Sequence, residues 1–155
     1  MRVRFVFLLI LVQTYSCFNM NNSMSIDSDD YWTKEKRIKI LKAEIKWPSD
    51  FYGAEFELFN INGFSGRRLS QPGPSSVDYK FAIKVNTSDL DKWIKGMTKL
   101  EDENYDADWI DKIIEKRKEN WICKSQFEVF VRKNTNITVL ICRDQGLVLK
   151  RIITN

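Results

Sequence analysis

Three cysteines, Cys17, Cys123 and Cys142, carry the most distinctive chemistry in this 155-residue chain, and there is no histidine to activate any of them. That absence removes the commonest general base, the commonest zinc ligand and the usual partner of a nucleophilic serine or cysteine. A catalytic cysteine is therefore not expected. Cys123 and Cys142 enclose a loop of roughly 20 residues, and a disulfide there would contribute about 3 kcal/mol by restricting the unfolded chain. The alternative is two buried thiols acting as small hydrophobes, and counting register around the turn at 133–136 does not place the two directly opposite.

Carboxylates offer two further constellations. Asp102, Asn104, Asp106 and Asp108 recur at every second position, as oxygen ligands do at the start of a calcium loop. The pattern then needs glycine at Ala107 and a bidentate glutamate at Ile113, and both are missing. These acids read instead as a solvated connector, and no metal or cofactor is expected. Glu55 and Glu57 point the same way on a strand, but the apolar Phe56 and Leu58 between and beside them assign the glutamates to an outward face. A hydrolase built on such a carboxylate pair is the enzymatic alternative. Gly63-Phe64-Ser65-Gly66 lacks the spacing of a nucleophile elbow.

For binding, the strongest sequence feature is the long loop from Phe64 to Ser76, with Arg67 and Arg68 at its centre; paired guanidiniums suit acidic groups on a partner protein or lipid headgroups, and the preferred alternative is an ordinary solvated loop. Trp32 and Trp47 offer either a contact surface or, the preferred reading, core packing. Asn21, Asn86 and Asn136 begin glycosylation triplets that arise easily in an Asn- and Thr-rich chain.

Residues 1–16 have the three parts of an export signal. Arg2 and Arg4 supply the positive start, Phe5 to Val12 an apolar run, and Gln13 to Ser16 a polar end. A run of eight residues is too short to span a bilayer, which takes about 20. Thr14 and Ser16 suit cleavage before Cys17. The stretch Leu11 to Cys17 resembles the lipobox of bacterial lipoproteins, in which the cysteine becomes a lipidated N-terminus. Ser16 and Cys17 match, whereas Thr14 and Tyr15 stand where the pattern has leucine and a small residue. The resemblance implies a membrane anchor at Cys17; without lipidation the chain is simply secreted.

Loss of residues 1–16 leaves 23 basic and 21 acidic side chains, a net charge of +2. So small and interspersed an excess leaves no footprint for nucleic acid. A polar tether is expected over residues 17–30 and one globular domain over 31–155, of a size that buries about two thirds of its unfolded surface.

Within that domain, Thr33 to Ile45 is ambiguous, with a lean toward strand before Trp47-Pro48. Period-two alternation marks strands at 54–58 and 77–85. A helix opens at Ser88 and buries Leu90, Trp93, Ile94 and Met97. A second carries Trp109, Ile110, Ile113, Ile114 and Trp121, with Lys116, Arg117 and Lys118 matching its dipole. Strands at 127–131, 137–142 and 147–153 with short turns form an antiparallel meander. The expected fold is α+β: an antiparallel sheet with its two helices packed on one face. The functional expectation is an exported, non-enzymatic binding protein of the bacterial envelope, periplasmic or membrane-anchored, with a protein partner; an immunity or inhibitor role against a toxin is the specific alternative.

Overall fold

The alternating segments become strands of a single antiparallel sheet, and their order fixes everything else. The architecture is that of a computed structural model describing residues 23–64, 76–101, 105 and 107–154. The expected export signal, Cys17, Arg67, Arg68, Asp102, Asn104 and Asp106 lie outside the described residues. The strands are β1 (Ser25–Asp27), β2 (Gly53–Asn60), β3 (Val77–Lys84), β4 (Thr98–Lys99), β5 (Glu128–Val131), β6 (Asn136–Cys142) and β7 (Leu147–Thr154). They lie in the order β1-β2-β3-β7-β6-β5-β4, every neighbour antiparallel. The α+β class and the C-terminal meander β5-β6-β7 are as expected.

Among the described residues three α-helices accompany the sheet: α1 (Lys34–Glu44), α2 (Leu90–Trp93) and α3 (Asp108–Ile114). Leu41 of α1 and Leu90 and Trp93 of α2 pack with Phe56, Leu58, Phe81, Ile83, Val139, Ile141 and Val148 on one face. On the other face, Trp109, Ile110, Ile113 and Ile114 of α3 pack with Ala82, Leu140, Leu147 and Leu149. Two helices do share a face, but they are α1 and α2. The two helices anticipated from the sequence, α2 and α3, lie on opposite faces, so both sides of the sheet are covered.

Several local expectations are corrected. The segment at 33–45 is helical rather than strand-like. Thr33 accepts the Lys36 amide on its hydroxyl at 3.2 Å as an N-cap, and Lys, Glu, Arg, Leu and Ala favour the helix that follows. Pro48 falls three residues past the extended Ile45, so it never opposes the helix. The helix expected from Ser88 to Met97 is shorter, a 3-10 turn at Thr87–Asp89 followed by four α-helical residues, and Gly96 at φ 73° closes the segment. The folded body also reaches back beyond Tyr31 into the expected tether, because Ser25, Ile26 and Asp27 pair with Phe59, Leu58 and Glu57.

Gly146, in the β6–β7 turn at φ 62°, donates nothing but room: a Cβ there would collide with the Val85 carbonyl, while its own carbonyl accepts from the Val85 amide at 2.9 Å. This contact fixes the end of the meander against the start of the segment leading to α2.

On the α1–α2 face, Lys150 sits in register between Phe81 and Val139, its Nζ 6.0 Å from the centre of the Trp93 ring. No carboxylate pairs with it among the described residues. Burial pushes its ammonium below the ordinary lysine range, and Arg132 repels it further. The unfolded chain therefore holds this proton more tightly, so stability rises with pH from the folded-state value up to the ordinary value of 10.5. At neutral pH the charge opposes folding. Lys150→Met is expected to raise the Tm by a few degrees at pH 7 and to flatten its rise through the alkaline window; thermal melts at a series of pH values measure both, and an unchanged or lowered Tm contradicts the assignment.

Candidate functional site

The pairing register puts Glu55 opposite Ala82, Ala82 opposite Leu149 and Leu149 opposite Leu140, a row that runs beneath α3. Glu55 is therefore not outward-facing, as the alternation with Phe56 and Leu58 suggested. It is 2% exposed, because the face that the pattern assigns to solvent is covered by α3 and the chain that follows it.

An ionised carboxylate in such a place requires partners, and two arginines supply them. Arg117 Nε donates to Glu55 Oε1 at 2.8 Å and Arg117 Nη2 to Oε2 at 2.6 Å, a bidentate fork. Arg37 Nε stands 3.3 Å from Oε1. The same Arg117 Nη2 donates to Asp29 Oδ1 at 2.8 Å, and Lys116 Nζ pairs with Asp29 Oδ2 at 3.0 Å. Donation to Glu55, and then to Asp29, pushes the Arg117 proton affinity further up. The web thus joins the N-terminal 3-10 turn Ser28–Asp30, β2, α1 and the 3-10 segment Glu115–Asn120.

Local structure bends to allow it. The helical path beyond α3 breaks at Arg117, at φ −139° and ψ 33°, which turns the guanidinium toward the sheet. The basic run 116–118 therefore does not act as a group on a helix dipole: Lys116 and Arg117 serve Asp29 and Glu55, and Lys118 pairs with Asp111 at 2.7 Å. Arg37 is brought inward by its spacing from Leu41, one helical turn on and on the same face. Its Nε also donates to the Ala54 carbonyl at 3.2 Å and its Nη1 to the carbonyls of Tyr31 and Trp32, at 3.0 and 3.3 Å.

Beside this web opens a cavity of about 280 Å³ lined by Lys34, Arg37, Tyr52, Gly53, Glu55, Lys84 and Trp121, among others. Lys84 lays its ammonium 5.5 Å from the centre of the Trp121 ring. The Lys84 stem runs along Gly53, where even a Cβ would reach only van der Waals contact with it, at 3.4 Å. Trp121 is buried with an indole N–H that has no partner. A larger cavity of about 550 Å³ opens beside Tyr105 and β5, lined also by Lys99, Glu101 and Leu140.

The other sequence candidates fall elsewhere. Cys123 and Cys142 are bonded to each other, with their Cα atoms 5.8 Å apart. The bridge was not evident from strand register because Cys123 lies beyond the end of the 3-10 segment rather than on a strand. Asp144 approaches both sulfurs, but bridged cysteines offer no thiolate to a metal; the Ser125 hydroxyl donates to Asp144 and holds its carboxyl below the ordinary range. Glu57 pairs with Lys80 at 3.1 Å rather than joining Glu55 in a catalytic pair. Trp32 is 97% exposed and Trp47 43%, so neither forms core as preferred from the sequence. Among the described residues no helix is long and apolar enough to cross a membrane.

Sequence reading missed Arg37, Arg117, Lys34 and Lys84. The i, i+4 spacing of Arg37 and Leu41 was the one available signal, and it depends on knowing that the segment is helical. Compared with known proteins, the chain matches no family model, no curated sequence and no solved structure.

Glu55→Gln removes the charge that both guanidiniums face and leaves two cations together against the sheet. It is expected to cost about 3 kcal/mol, the scale for breaking one side of a buried pair, read as a shift of the urea midpoint at constant slope. A loss under roughly 0.5 kcal/mol, the level of an ordinary surface substitution, contradicts this picture.

Proposed function

We propose that this is an exported, non-enzymatic binding protein of the bacterial envelope, held at the membrane through a lipid on Cys17 and engaging a protein partner with its folded domain. The observation that carries the binding reading is the state of Glu55. It is the one fully buried carboxylate among the described residues, and both of its oxygens are taken up by arginine donors. With a guanidinium donor already on each oxygen, the carboxylate is committed to its ion pairs, an arrangement that disfavours the direct approach to a substrate proton that general base work requires. The acid therefore positions its arginines and the cavity wall instead of doing chemistry.

Two features support the envelope setting. A Cys123–Cys142 bridge suits an oxidising compartment. The folded body already includes Ser23, whose carbonyl accepts from the Phe64 amide at 3.2 Å, so a lipid on Cys17 would hold the domain by a connection of at most a few residues. An extended chain covers at most about 3.5 Å per residue, which keeps the domain close to the bilayer surface.

Growth of the expressing bacterium with a labelled fatty acid, comparing wild type with Cys17→Ala, tests the anchor. Wild type should take up label and sediment with membranes, while the variant is unlabelled and released. An unlabelled wild type found wholly in the soluble fraction contradicts the anchor.

A further inference from the structure

We propose that the cavity between the start of α1, the adjoining ends of β2 and β3, and Asn120–Trp121 receives a carboxylate side chain of the protein partner. This rests on reading the protein as a binder and names the chemistry that the partner must present. The lining places three cations, Lys34, Arg37 and Lys84, around a single acid, Glu55. That acid is already matched from the far side by Arg117. Neither Lys34 nor Lys84 has a carboxylate partner among the described residues, and Arg37 spends its Nε and Nη1 on backbone and Glu55 while no described group accepts from its Nη2. The wall thus presents positive charge that the fold does not use.

The surroundings point to a protein as the source of that carboxylate. Tyr52, which lines the cavity, is 50% exposed, and Ile122, next in the chain after Trp121, is 59% exposed. Trp32, whose carbonyl accepts from Arg37, stands almost wholly in solvent. Aromatic side chains beside an arginine, as Tyr52 and Trp121 stand with Arg37 in the cavity lining, are the composition from which protein–protein anchors are made. Lys84 is held against Trp121 before any partner arrives, so little side-chain freedom is lost when it engages an anion.

The test is a two-dimensional NMR titration of the full chain at low salt with a blocked tetraglutamate peptide, a blocked tetraglutamine peptide and inorganic phosphate. The tetraglutamate peptide should shift the Trp121 indole signal and the amides of Gly53, Ala54 and Lys84. The glutamine peptide should not. Lys84→Gln should weaken binding about fivefold, the scale of one partly exposed ion pair, with its spectrum otherwise native, and Lys84→Arg should restore most of the affinity. Equal shifts from the two peptides, shifts centred elsewhere, or phosphate binding as tightly as tetraglutamate overturns the assignment. Should the peptide fail while the chain remains fatty-acid labelled and membrane-bound, the cavity assignment falls alone; loss of the label defeats the envelope reading independently.

Discussion

A carboxylate buried on the second strand of the sheet, Glu55, is the constraint to which the rest of this structure answers. Taking an ionised acid out of water costs several kcal/mol unless its lone pairs are met by donors held in place. Arg117 and Arg37 meet them, and each has to be delivered by a different part of the chain. Arg117 arrives only because the helical path after α3 breaks at that residue, and Arg37 only because the segment from Lys34 is a helix with that residue turned inward. The N-terminal turn is drawn in as well, since Asp29 also accepts from Arg117. The cavity beside Trp121 is a product of the same arrangement: its wall carries Glu55 and Arg37, together with two lysines, Lys34 and Lys84, that the acid does not serve.

Apolar packing holds this polar centre from both sides. The α1–α2 layer closes over Phe56, Phe81 and Ile83, and the α3 layer over Ala82, Leu140 and Leu149. Ala82 matters because it is small and lies next to Glu55 in the ladder, leaving space above the row for α3 and the chain leading to Arg117. The Cys123–Cys142 bridge then ties the chain just beyond Trp121 to the end of β6, limiting how far the Arg117 segment can lift from the sheet. The charged remainder of this face, where Lys80 bridges Glu57 and Asp78 and Arg151 grips Asp78 at 2.9 Å, lies beyond the cover of α3.

Much of the scaffold was legible in the sequence, and the site was not. Period-two alternation located β2 and β3, and the short turns at 133–136 and 144–146 made the meander unavoidable, because these are properties of neighbouring residues. β1 and β4 escaped notice: three and two residues long, they are strands only by virtue of their partners. The lean toward strand at 33–45 gave weight to Ile38 and Ile40 and to a proline too distant to act, and overlooked the cap at Thr33. Glu55 was assigned to solvent by a rule that assumes one covered face. Whether the second face is covered depends on where α3 docks, a long-range fact that no local pattern carries. The arginines were missed for the same reason: Arg117 and Glu55 are 62 positions apart.

The central claim is that Arg117 and Glu55 act as one unit, and a double-mutant cycle measures that most directly. Glu55→Gln, Arg117→Met and the combined variant would be compared with wild type by urea unfolding, with slopes required to agree across the four proteins. The account predicts that the double variant is more stable than the sum of the single losses implies, by about 2 kcal/mol, within the range seen for directly contacting groups. Additive losses, with a coupling within about 0.3 kcal/mol of zero, would contradict it.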